Sequence, residues 1–461
     1  MTPRATVVIV NYDGAHLLGP CLDGLRKQDL PNDAFQVVVV DNASTDDSLS
    51  LLRDEYAEVT VLESAANLGF AGGNNLALRR LTTEFAVLLN NDAVPEPGWL
   101  RALLDAFDAP DATRLGIVTG KVVFMPRFLR LTWRVPGFVP GAHDTRELGV
   151  RVYRVQVQPA DGSAEPQDVI AKVLWEQMTF GAEGSGADRF WWTRPDGELL
   201  VPIPGDFVGR PTTVTFTVAA EPGADKLLTI GGCDPVDVTS QVTEHRTTVS
   251  VPVPADAELH DVINNVGGIV LKSGHGADRG FQEVDLGQYD EPAEVFAACG
   301  NGMAIRTEAG RAAGWFDDDF FMYYEDTDLS WRVRALGWSI RYVPSACLRH
   351  IHSASSKEWS PRWVFHVERN RLLMLTKDAS ARLALTAVLR FVLTAGSMAL
   401  RSAREAARTR RRPALQPHIL RVRVLVSYLR LAPRMLARRR QLNKVAVVSR
   451  ATLESTLVES R

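Results

Sequence analysis

Short apolar runs alternate with helix-like segments along the first 125 residues, and this alternation constrains the fold more than any other feature. The runs are rich in Val, Ile and Leu and have the length of buried strands. They lie at residues 6–10, 36–40, 59–62 and 85–89, with helical patterns around 17–28, 47–56, 74–81 and 99–107. This order predicts an α/β fold built from βαβ units around a parallel sheet. Because ligands of such sheets bind beyond the carboxyl ends of the strands, the polar residues after each run are candidates for a site.

A different pattern begins near residue 126. The sequence becomes rich in Thr, Val, Pro and Gly, and apolar residues alternate at period two in 214–218, 227–230 and 247–253. Short strands of this kind predict an inserted all-β domain, either a sandwich or a small barrel. The α/β pattern then resumes, and the last part is helical and rich in Arg. The predicted domains are therefore 1–125, 126–261, 262–375 and 376–461.

Three carboxylates, Glu325, Asp326 and Asp328, fall within four residues after the aromatic run at 320–324. A dense acidic cluster beside aromatic residues is costly unless a cation or a proton transfer uses it. Acidic residues in the first turn of a helix are also favoured by the helix dipole, which suffices to explain Asp328. Asp326 is the candidate for chemistry. A carboxylate at a helix start is expected to have a low pKa, which would make it a weak base.

Asn90, Asn91 and Asp92 directly follow the apolar run at 85–89. Their amide and carboxylate oxygens suit Mg²⁺ or Mn²⁺, which commonly bind through one or two carboxylates plus substrate phosphates. The alternative is a turn, helped by the prolines that follow. His350 and His352 lie after the strand-like run at 340–343 and are either structural or able to complete a Mn²⁺ site.

Two polar segments follow earlier strands. Asp41 and Asn42 end the run at 37–40 and either accept hydrogen bonds from a nucleotide or form an Asx turn and a helix cap. A Gly-rich segment follows at 67–75, and its small residues would let a diphosphate approach a helix N-terminus. The alternative is a plain loop. The segment matches neither a P-loop nor GxGxxG, and it lacks the basic residues that a nucleotidyltransferase would need there.

The charge of the chain is unevenly distributed. Residues 357–461 carry 23 Lys and Arg against 6 Asp and Glu, whereas the remainder has 29 against 49. The apolar segment 383–400 contains Arg390 and is of marginal length for a membrane span. We expect amphipathic helices that lie on an anionic membrane surface. Nucleic-acid binding is the first alternative for such a basic region, but it is not expected because no recognised binding module is present. A solvated helical surface is the second alternative.

The four cysteines, Cys21, Cys233, Cys299 and Cys347, have no CxxC spacing. This argues against a zinc site or a disulfide framework and suits a reducing compartment. The chain enters a strand-like run at residue 6, so no cleavable signal is visible. We expect a cytoplasmic protein that is peripheral at the inner face of the plasma membrane.

Seven motifs, in this order, resemble an inverting family 2 glycosyltransferase of the GT-A fold. The GT-A fold is a Rossmann-like mixed sheet flanked by helices. Within the family, the chain resembles the subgroup of rhamnosyltransferase-like and galactofuranosyltransferase-like enzymes of bacterial cell-envelope glycan synthesis. The motifs are VVIVNYDG (Val7–Gly14), VVVDNASTD (Val38–Asp46), NLGFAGGNN (Asn67–Asn75), LLNNDA (Leu88–Ala93), ACGNGMAIR (Ala298–Arg306), FFMYYEDTDLSWR (Phe320–Arg332) and LRHIHSASS (Leu348–Ser356).

The resemblance implies a role for each matching residue. Asp92 would bind the metal that bridges the diphosphate, with His350 as the occasional metal histidine of the family, and Asp326 would be the base. Glu325, Asp328 and Trp331 would contact the acceptor or support the site. The nucleotide-sugar would be held by Asn11, Asp41, Asn42, Asn67, Gly69, Gly73, Asn74, Asn90, Asn91, Gly300 and Asn301.

Two features depart from the family pattern. Asn90 replaces the first acid of the DxD motif, which implies a weaker metal site, and the insertion of about 130 residues has no counterpart. The implied activity is glycosyl transfer, with Mg²⁺ or Mn²⁺, from a dTDP- or UDP-sugar to a hydroxyl of a glycan or lipid-linked acceptor. The alternative is a non-catalytic protein that binds glycans or nucleotide-sugars, with the β insertion as its binding module.

Overall fold

A computed structural model describes residues 3–31, 33–141, 144–175, 178–221, 226–239, 245–351, 359–410, 412 and 415–459. The chain forms two compact units. One contains Met1–Val123 and Ile263–Arg461, and the other contains Phe124–Val262. The predicted class is confirmed: a mixed α/β part, an all-β insertion and a helical C-terminal region.

The first part of the larger unit alternates strands and helices. Its elements are β1 (Ala5–Asn11), α1 (Ala15–Arg26), β2 (Phe35–Asp41), α2 (Ser48–Glu55), β3 (Thr60–Glu63), α3 (Gly69–Leu78), β4 (Phe85–Leu89), β5 (Ala93–Pro95), α4 (Trp99–Asp105) and β6 (Leu115–Phe124).

The second unit is built almost entirely of strands. They are β7 (Arg127–Arg134), β8 (Arg151–Pro159), β9 (Gln167–Asp168), β10 (Thr179–Glu183), β11 (Phe190–Thr193), β12 (Asp196–Ile203), β13 (Thr212–Ala219), β14 (Leu227–Ile230), β15 (Val236–Asp237), β16 (Thr247–Val253) and β17 (Leu259–His260). They form two antiparallel sheets that share one apolar core, which is the arrangement of a β-sandwich.

The chain then returns to the larger unit. Its strands are β18 (Ile263–Asn265), β19 (Gly268–Val270), β20 (Gly276–Asp278), β21 (Ala293–Glu294), β22 (Gly302–Arg306) and β23 (Ser339–His350). Its helices are α5 (Thr307–Ala313), α6 (Glu325–Ala335), α7 (Pro361–Asp378), α8 (Ala381–Thr409), α9 (Gln416–Val445) and α10 (Arg450–Glu454).

One ten-stranded sheet holds the larger unit together, with the main order β21-β23-β6-β22-β4-β1-β2-β3. The first four strands of the chain pair in parallel, β2 with β1 and β3, and β1 with β4. The ends of β1 and β2 are therefore level, since Asn11 pairs with Asp41. β22 joins β4 in the antiparallel direction, so the loop before β22 reaches the edge where β4 ends.

The Gly-rich segment is helical rather than a loop, so the predicted start of this helix at residue 74 is wrong. α3 begins at Gly69, whose φ of +71° suits glycine. A Cβ at Gly73 would lie 2.7 Å from a methyl carbon of Val10. Small residues therefore let this helix pack directly on β1.

The C-terminal helices leave much apolar surface exposed. α8 is long and apolar enough to cross a membrane, and only 17% of its most apolar window is buried. Leu385, Leu389 and Leu393 recur every fourth residue and form one exposed stripe on α8. α9 exposes a second stripe, which consists of Ile419, Val422, Val426, Leu429 and Leu436.

We predict that Gly120→Ala destabilises the larger unit. A Cβ at Gly120, in β6, would lie 1.9 Å from the carbonyl oxygen of Ala346, so backbone must move. The free energy of unfolding by urea should fall by roughly 1–3 kcal/mol. Gly98→Ala is the control, because a Cβ there meets nothing within 4 Å. Equal stability of the two variants would contradict the strand packing described here.

Candidate active site

Two adjoining cavities open beyond the carboxyl ends of β1, β2 and β4. The larger, about 510 Å³, is lined by residues that include Asp92, Asp326 and His350. The smaller, about 270 Å³, includes Asn42, Asn67, Gly69, Asn90, Asn91, Asp92, Ser360 and Arg362. Phe70, Asn90, Asp92, Met322, Tyr323 and Trp363 line both. Two carboxylates that are far apart in the sequence therefore share one cavity, and Asp92 lies where the two cavities meet.

A short strand pairing brings His350 to Asp92. Ala93 in β5 pairs with His350 at the end of β23, and the amide of Ile351 donates to the Asp92 carbonyl at 2.9 Å. His350 Nε2 lies 3.2 Å from Asp92 Oδ1. Both side chains are buried, with exposed fractions of 6% and 7%.

The geometry and hydrogen bonding of the Asp92–His350 pair suit a divalent cation. Asp92 Oδ1 is buried and makes no hydrogen bond to any residue that the structure describes. His350 Nδ1 lies 3.2 Å from Asn264 Oδ1 and 3.3 Å from the side-chain amide of Asn301, and the tautomer that donates to Asn264 turns the Nε2 lone pair towards Asp92. Adjacent ligands of an octahedral ion at about 2.1 Å lie about 3 Å apart, which fits this pair. No group of three His, Cys, Asp or Glu side chains suited to a metal occurs within the described ranges, so phosphates and water would complete the shell.

Asparagine amides fix the edge around this pair. The Asn90 side chain donates to Asn301 Oδ1 at 2.8 Å, and the backbone amide of Asn90 donates to the Asn301 carbonyl at 3.0 Å. The Asn91 side chain donates to Asn11 Oδ1 at 2.8 Å, and Asn11 donates to Ser48 at 2.9 Å. Asn11 therefore supports Asn91 and lies outside both cavity linings.

Asp326 lies in the first turn of α6, and its carboxylate faces the loop before β22. Asp326 Oδ2 accepts from the Gly300 amide at 3.1 Å, and Oδ1 accepts from the Thr327 amide at 2.6 Å. Burial nevertheless raises the pKa of Asp326, so the expected low value is wrong. Withdrawal from water outweighs the hydrogen bonds from the helix start, and the carboxylate is a stronger base than its sequence position indicates.

Glu325 lies beside Asp326 and is more deeply buried. Its Oε2 makes no hydrogen bond within the described part of the chain. Burial, together with the neighbouring Asp326 charge, raises the pKa of Glu325 well above its usual range. Glu325 therefore keeps its proton to a higher pH than an ordinary glutamate does, and it can donate a hydrogen bond into the larger cavity.

Asn42 and Asn67 shape the wall of the smaller cavity. Asn42 donates to Asn67 Oδ1 and to the Gly69 carbonyl, each at 3.1 Å, and accepts from the Leu68 amide at 2.9 Å. Asp41 lies next to them at the end of β2. Its Oδ2 accepts from the Ser44 amide at 3.1 Å, whereas its buried Oδ1 has no partner among the described residues.

Six of the predicted site residues line neither cavity: Asn11 and Asp41, described above, and four others. Gly73 packs against β1, and Asn74 donates to the Phe70 carbonyl within its own helix. Trp331 is fully buried and packs edge-on against Phe296 at 5.0 Å between ring centroids.

The fourth is Asp328, which has a structural role instead of capping its helix. It is fully buried between Arg332 and Lys377, each at 2.7 Å. Burial alone would raise the pKa of Asp328, but the two cations outweigh it and lower the pKa to about 2. Asp328 therefore ties α6 to α7 and has no access to an acceptor.

The start of α7 also contributes to the site, although no sequence motif discussed above includes it. Ser360 accepts from the Trp363 amide and caps this helix, and Ser360, Arg362 and Trp363 line the smaller cavity. The Ser-Pro pair at 360–361 is a helix-start signal that could have located it. Asn264, which contacts His350, had no comparable signal. The second half of the motif at Leu348–Ser356, including His352, lies outside the described residues.

Comparison with known proteins gives two matches to family models. Residues 6–151 match the model described as glycosyl transferase family 2, and residues 262–409 match glycosyl transferase family group 2. Together the matches cover nearly two-thirds of the chain. The first includes Asp92, and the second includes Asp326 and His350. The chain belongs to glycosyltransferase family 2.

Two curated relatives of this family 2 protein are each similar to less than a fifth of the chain. A poly(ribitol-phosphate) beta-glucosyltransferase of Bacillus spizizenii is 31% identical over 93 residues, which is 19% of this chain and 15% of that protein. An N-acetylglucosaminyl-diphospho-decaprenol L-rhamnosyltransferase of Mycobacterium tuberculosis is 41% identical over 73 residues, 15% of this chain and 24% of that protein. The chain thus matches less than a quarter of the length of either relative.

A solved structure that is similar to the chain is the mannosyltransferase PcManGT from Pyrobaculum calidifontis in complex with GDP-Man and Mn²⁺. The sequences are 15% identical, and the match covers 96% of this chain and 86% of that one, with a TM-score of 0.41. At this TM-score the likeness is too weak to indicate function.

We predict that Glu325→Gln changes how stability depends on pH. The unfolded chain releases the Glu325 proton near its ordinary pKa of 4.5, but the folded protein keeps it to higher pH. The stability that the protonated group contributes is therefore present below pH 4.5 and is lost as pH rises towards the folded pKa. Between about pH 5 and pH 8, urea denaturation should show the wild type losing stability relative to Glu325→Gln, by at most about 1.4 kcal/mol per pH unit. A difference that stays constant with pH would contradict the raised pKa.

Proposed function

We propose that this family 2 protein transfers a sugar from a nucleotide-diphosphate sugar to a hydroxyl of a glycan or lipid-linked acceptor in cell-envelope polysaccharide synthesis, with inversion at the anomeric carbon. The observation that carries the proposal is the shared cavity. Asp326, a buried carboxylate with a raised pKa, and the Asp92–His350 pair line the same space.

The smaller cavity is proposed to take the nucleotide diphosphate. Its wall is formed by Asn42, Asn67 and Gly69, and Arg362 contributes a guanidinium next to the N-terminus of α7. A positive helix end and an arginine both attract phosphate oxygens. Asp41, with one buried carboxylate oxygen unpaired among the described residues, is proposed to accept hydrogen bonds from the base or ribose.

The larger cavity is proposed to take the acceptor. Asp326 removes the hydroxyl proton as the oxygen attacks the anomeric carbon from the face opposite the leaving diphosphate. The Gly300 amide, which donates to Asp326 Oδ2, holds the carboxylate in place. Glu325, protonated, can donate a hydrogen bond to an acceptor oxygen without competing for the proton.

Asp92 and His350 are proposed to hold Mg²⁺ or Mn²⁺ between the two cavities. When bound, the ion neutralises the charge that grows on the leaving diphosphate. With Asn90 in place of a first acid, the protein itself supplies one carboxylate, so we expect affinity for the ion to rise when the nucleotide-sugar is present.

We predict that Asp326→Asn lowers kcat for transfer by about 10²- to 10⁴-fold, because the variant cannot accept the acceptor proton. Nucleotide-sugar affinity, measured by calorimetry with Mn²⁺, should change by less than about threefold, because Asp326 lies outside the lining of the smaller cavity. Asp111→Asn is the control, since that carboxylate pairs with Arg341 and is largely exposed.

Donors for this assay come from a thermal-shift screen of dTDP-, UDP- and GDP-sugars with and without Mn²⁺. Transfer by Asp326→Asn at the wild-type rate would contradict the proposed base. Nucleotide-sugar binding without any transfer would favour the non-catalytic alternative.

We also propose that the protein is cytoplasmic and docks through α8 and α9 on an anionic membrane surface. The exposed leucine stripe of α8 is followed by arginines at positions 401, 404, 408 and 410. Apolar side chains that enter the headgroup region, next to cations that attract anionic lipid, are typical of interfacial helices.

We predict that the protein co-sediments with phosphatidylglycerol vesicles and much less with phosphatidylcholine vesicles, and that salt weakens this binding. Replacing both Leu389 and Leu393 by Asp should weaken binding at least about tenfold. Leu286→Asp is the matched control, because Leu286 is 70% exposed but lies outside these helices. Equal binding by the double variant would contradict docking through α8. A need for detergent to extract the protein would instead mean that α8 crosses the membrane.

A further inference from the structure

The loop that leads into Asp326 has an unusual backbone. Three of its residues, Phe321, Tyr323 and Tyr324, have φ between +66° and +68° although none is glycine. The Met322 amide donates to the Phe320 carbonyl at 2.8 Å, so Phe321 is the centre of a tight γ-turn of the strained kind. Such conformations persist only where surrounding contacts impose them.

Those contacts come from two neighbouring residues of α7. The Asn370 side-chain amide donates to the carbonyl of Phe320 at 2.9 Å and to those of Met322 and Tyr323 at 2.8 Å. Arg369 donates to the Phe320 carbonyl at 2.9 Å and to Asn370 Oδ1 at 2.9 Å, which fixes the orientation of the amide.

A second set of contacts fixes the beginning of the loop. Asp317 and Asp319 both pair with Arg438 of α9, and Lys377 of α7 also pairs with Asp317 at 2.5 Å. The loop is therefore held at its start by ion pairs and along its length by Asn370. Its end is the first turn of α6, where the Asp328 amide donates to the Tyr324 carbonyl at 2.9 Å.

We propose that Asn370, oriented by Arg369, is a positioning residue for transfer: it holds the strained loop 320–324 and thereby sets the direction in which Asp326 enters the larger cavity. This inference rests on the proposed function. Asn370 is fully buried and lines neither cavity, so it acts through the loop and not on a substrate. The two hydrogens of its side-chain amide are shared among three carbonyls of this one loop, which holds the loop in its strained conformation.

The test uses Asn370→Ala in the full-length protein, with Thr376→Val as the matched control. Thr376 lies on the same helix and shares a buried hydroxyl contact of 3.0 Å with Tyr428, but it does not touch the loop. Asn370→Ala should lower kcat between about 10- and 100-fold, since displacement of a reacting group by about 1 Å has effects of this size. Thr376→Val, at comparable loss of thermal stability, should keep kcat within about twofold.

A double-mutant cycle distinguishes positioning from general damage. In the Asp326→Asn background, Asn370→Ala should lower the residual rate by less than about twofold, because the group it positions is already absent. A second decrease equal to the first would overturn the proposal. If Asn370→Ala does not fold, Arg369→Gln replaces it, as it removes the residue that orients the amide and leaves Asn370 in place.

A pH profile gives an independent measurement should Asp326→Asn leave no detectable rate. A loosened loop admits water to Asp326, so the acid limb of kcat/KM should move to lower pH in Asn370→Ala and stay unmoved in Thr376→Val. Within the described residues, Glu325, Tyr324 and Cys299 are titratable groups that interact with the Asp326 charge, and burial raises the pKa of each. If Asn370→Ala keeps the wild-type kcat and an unshifted acid limb of kcat/KM, only the positioning role of Asn370 is overturned. If the wild-type protein shows no transfer activity, the proposed function is overturned.

Discussion

Carboxylates buried together at one edge of the sheet determine how the elements around them are arranged. Asp92, Glu325 and Asp326 gather beside two cavities, and Glu325 and Asp326 have raised pKa values because they are withdrawn from water. Such a cluster opposes folding unless protons, cations or substrate relieve it. Several sets of contacts hold this cluster in place. β5 pairs with β23 beside Asp92, and asparagine amides link the ends of β1 and β4 to the loop before β22. α7 holds the loop that leads to Asp326.

The buried ions around α6 differ in kind from those at the cavity. Asp328 pairs with Arg332 and Lys377 and stays ionised, whereas Glu325, three residues earlier, forms no ion pair among the described residues and keeps its proton. Less than one turn of helix thus separates the structural carboxylate of Asp328 from Glu325 and Asp326, which line the larger cavity. Environment, and not residue type, decides the role of each.

The α/β part of the fold could be predicted largely from the sequence because strands such as β1 and β4 are short, apolar and almost entirely buried. The run at 85–89 coincides with β4, and the earlier runs differ from β1 and β2 by one residue at each end. The Gly-rich segment was wrongly predicted to be a loop, because small residues serve close helix packing equally well, as Gly73 does here.

The site was harder to predict because its chemistry depends on distant chain segments. Asp92 and Asp326 could be identified from local acidic patterns. The raised pKa of Asp326 could not, because the burial that causes it comes from packing that no local pattern encodes. The contacts of Asn370 with loop 320–324 span about fifty residues and leave no periodic signal.

The two adjoining cavities are proposed to bring a divalent cation, a nucleotide diphosphate and the base together. Anomalous diffraction from crystals grown with Mn²⁺ and a nucleotide that the protein binds would locate all three. We expect a single strong manganese peak bonded to Asp92 and His350, with the diphosphate in the smaller cavity and Asp326 across the larger one. A peak away from Asp92, or a nucleotide bound outside these cavities, would contradict it.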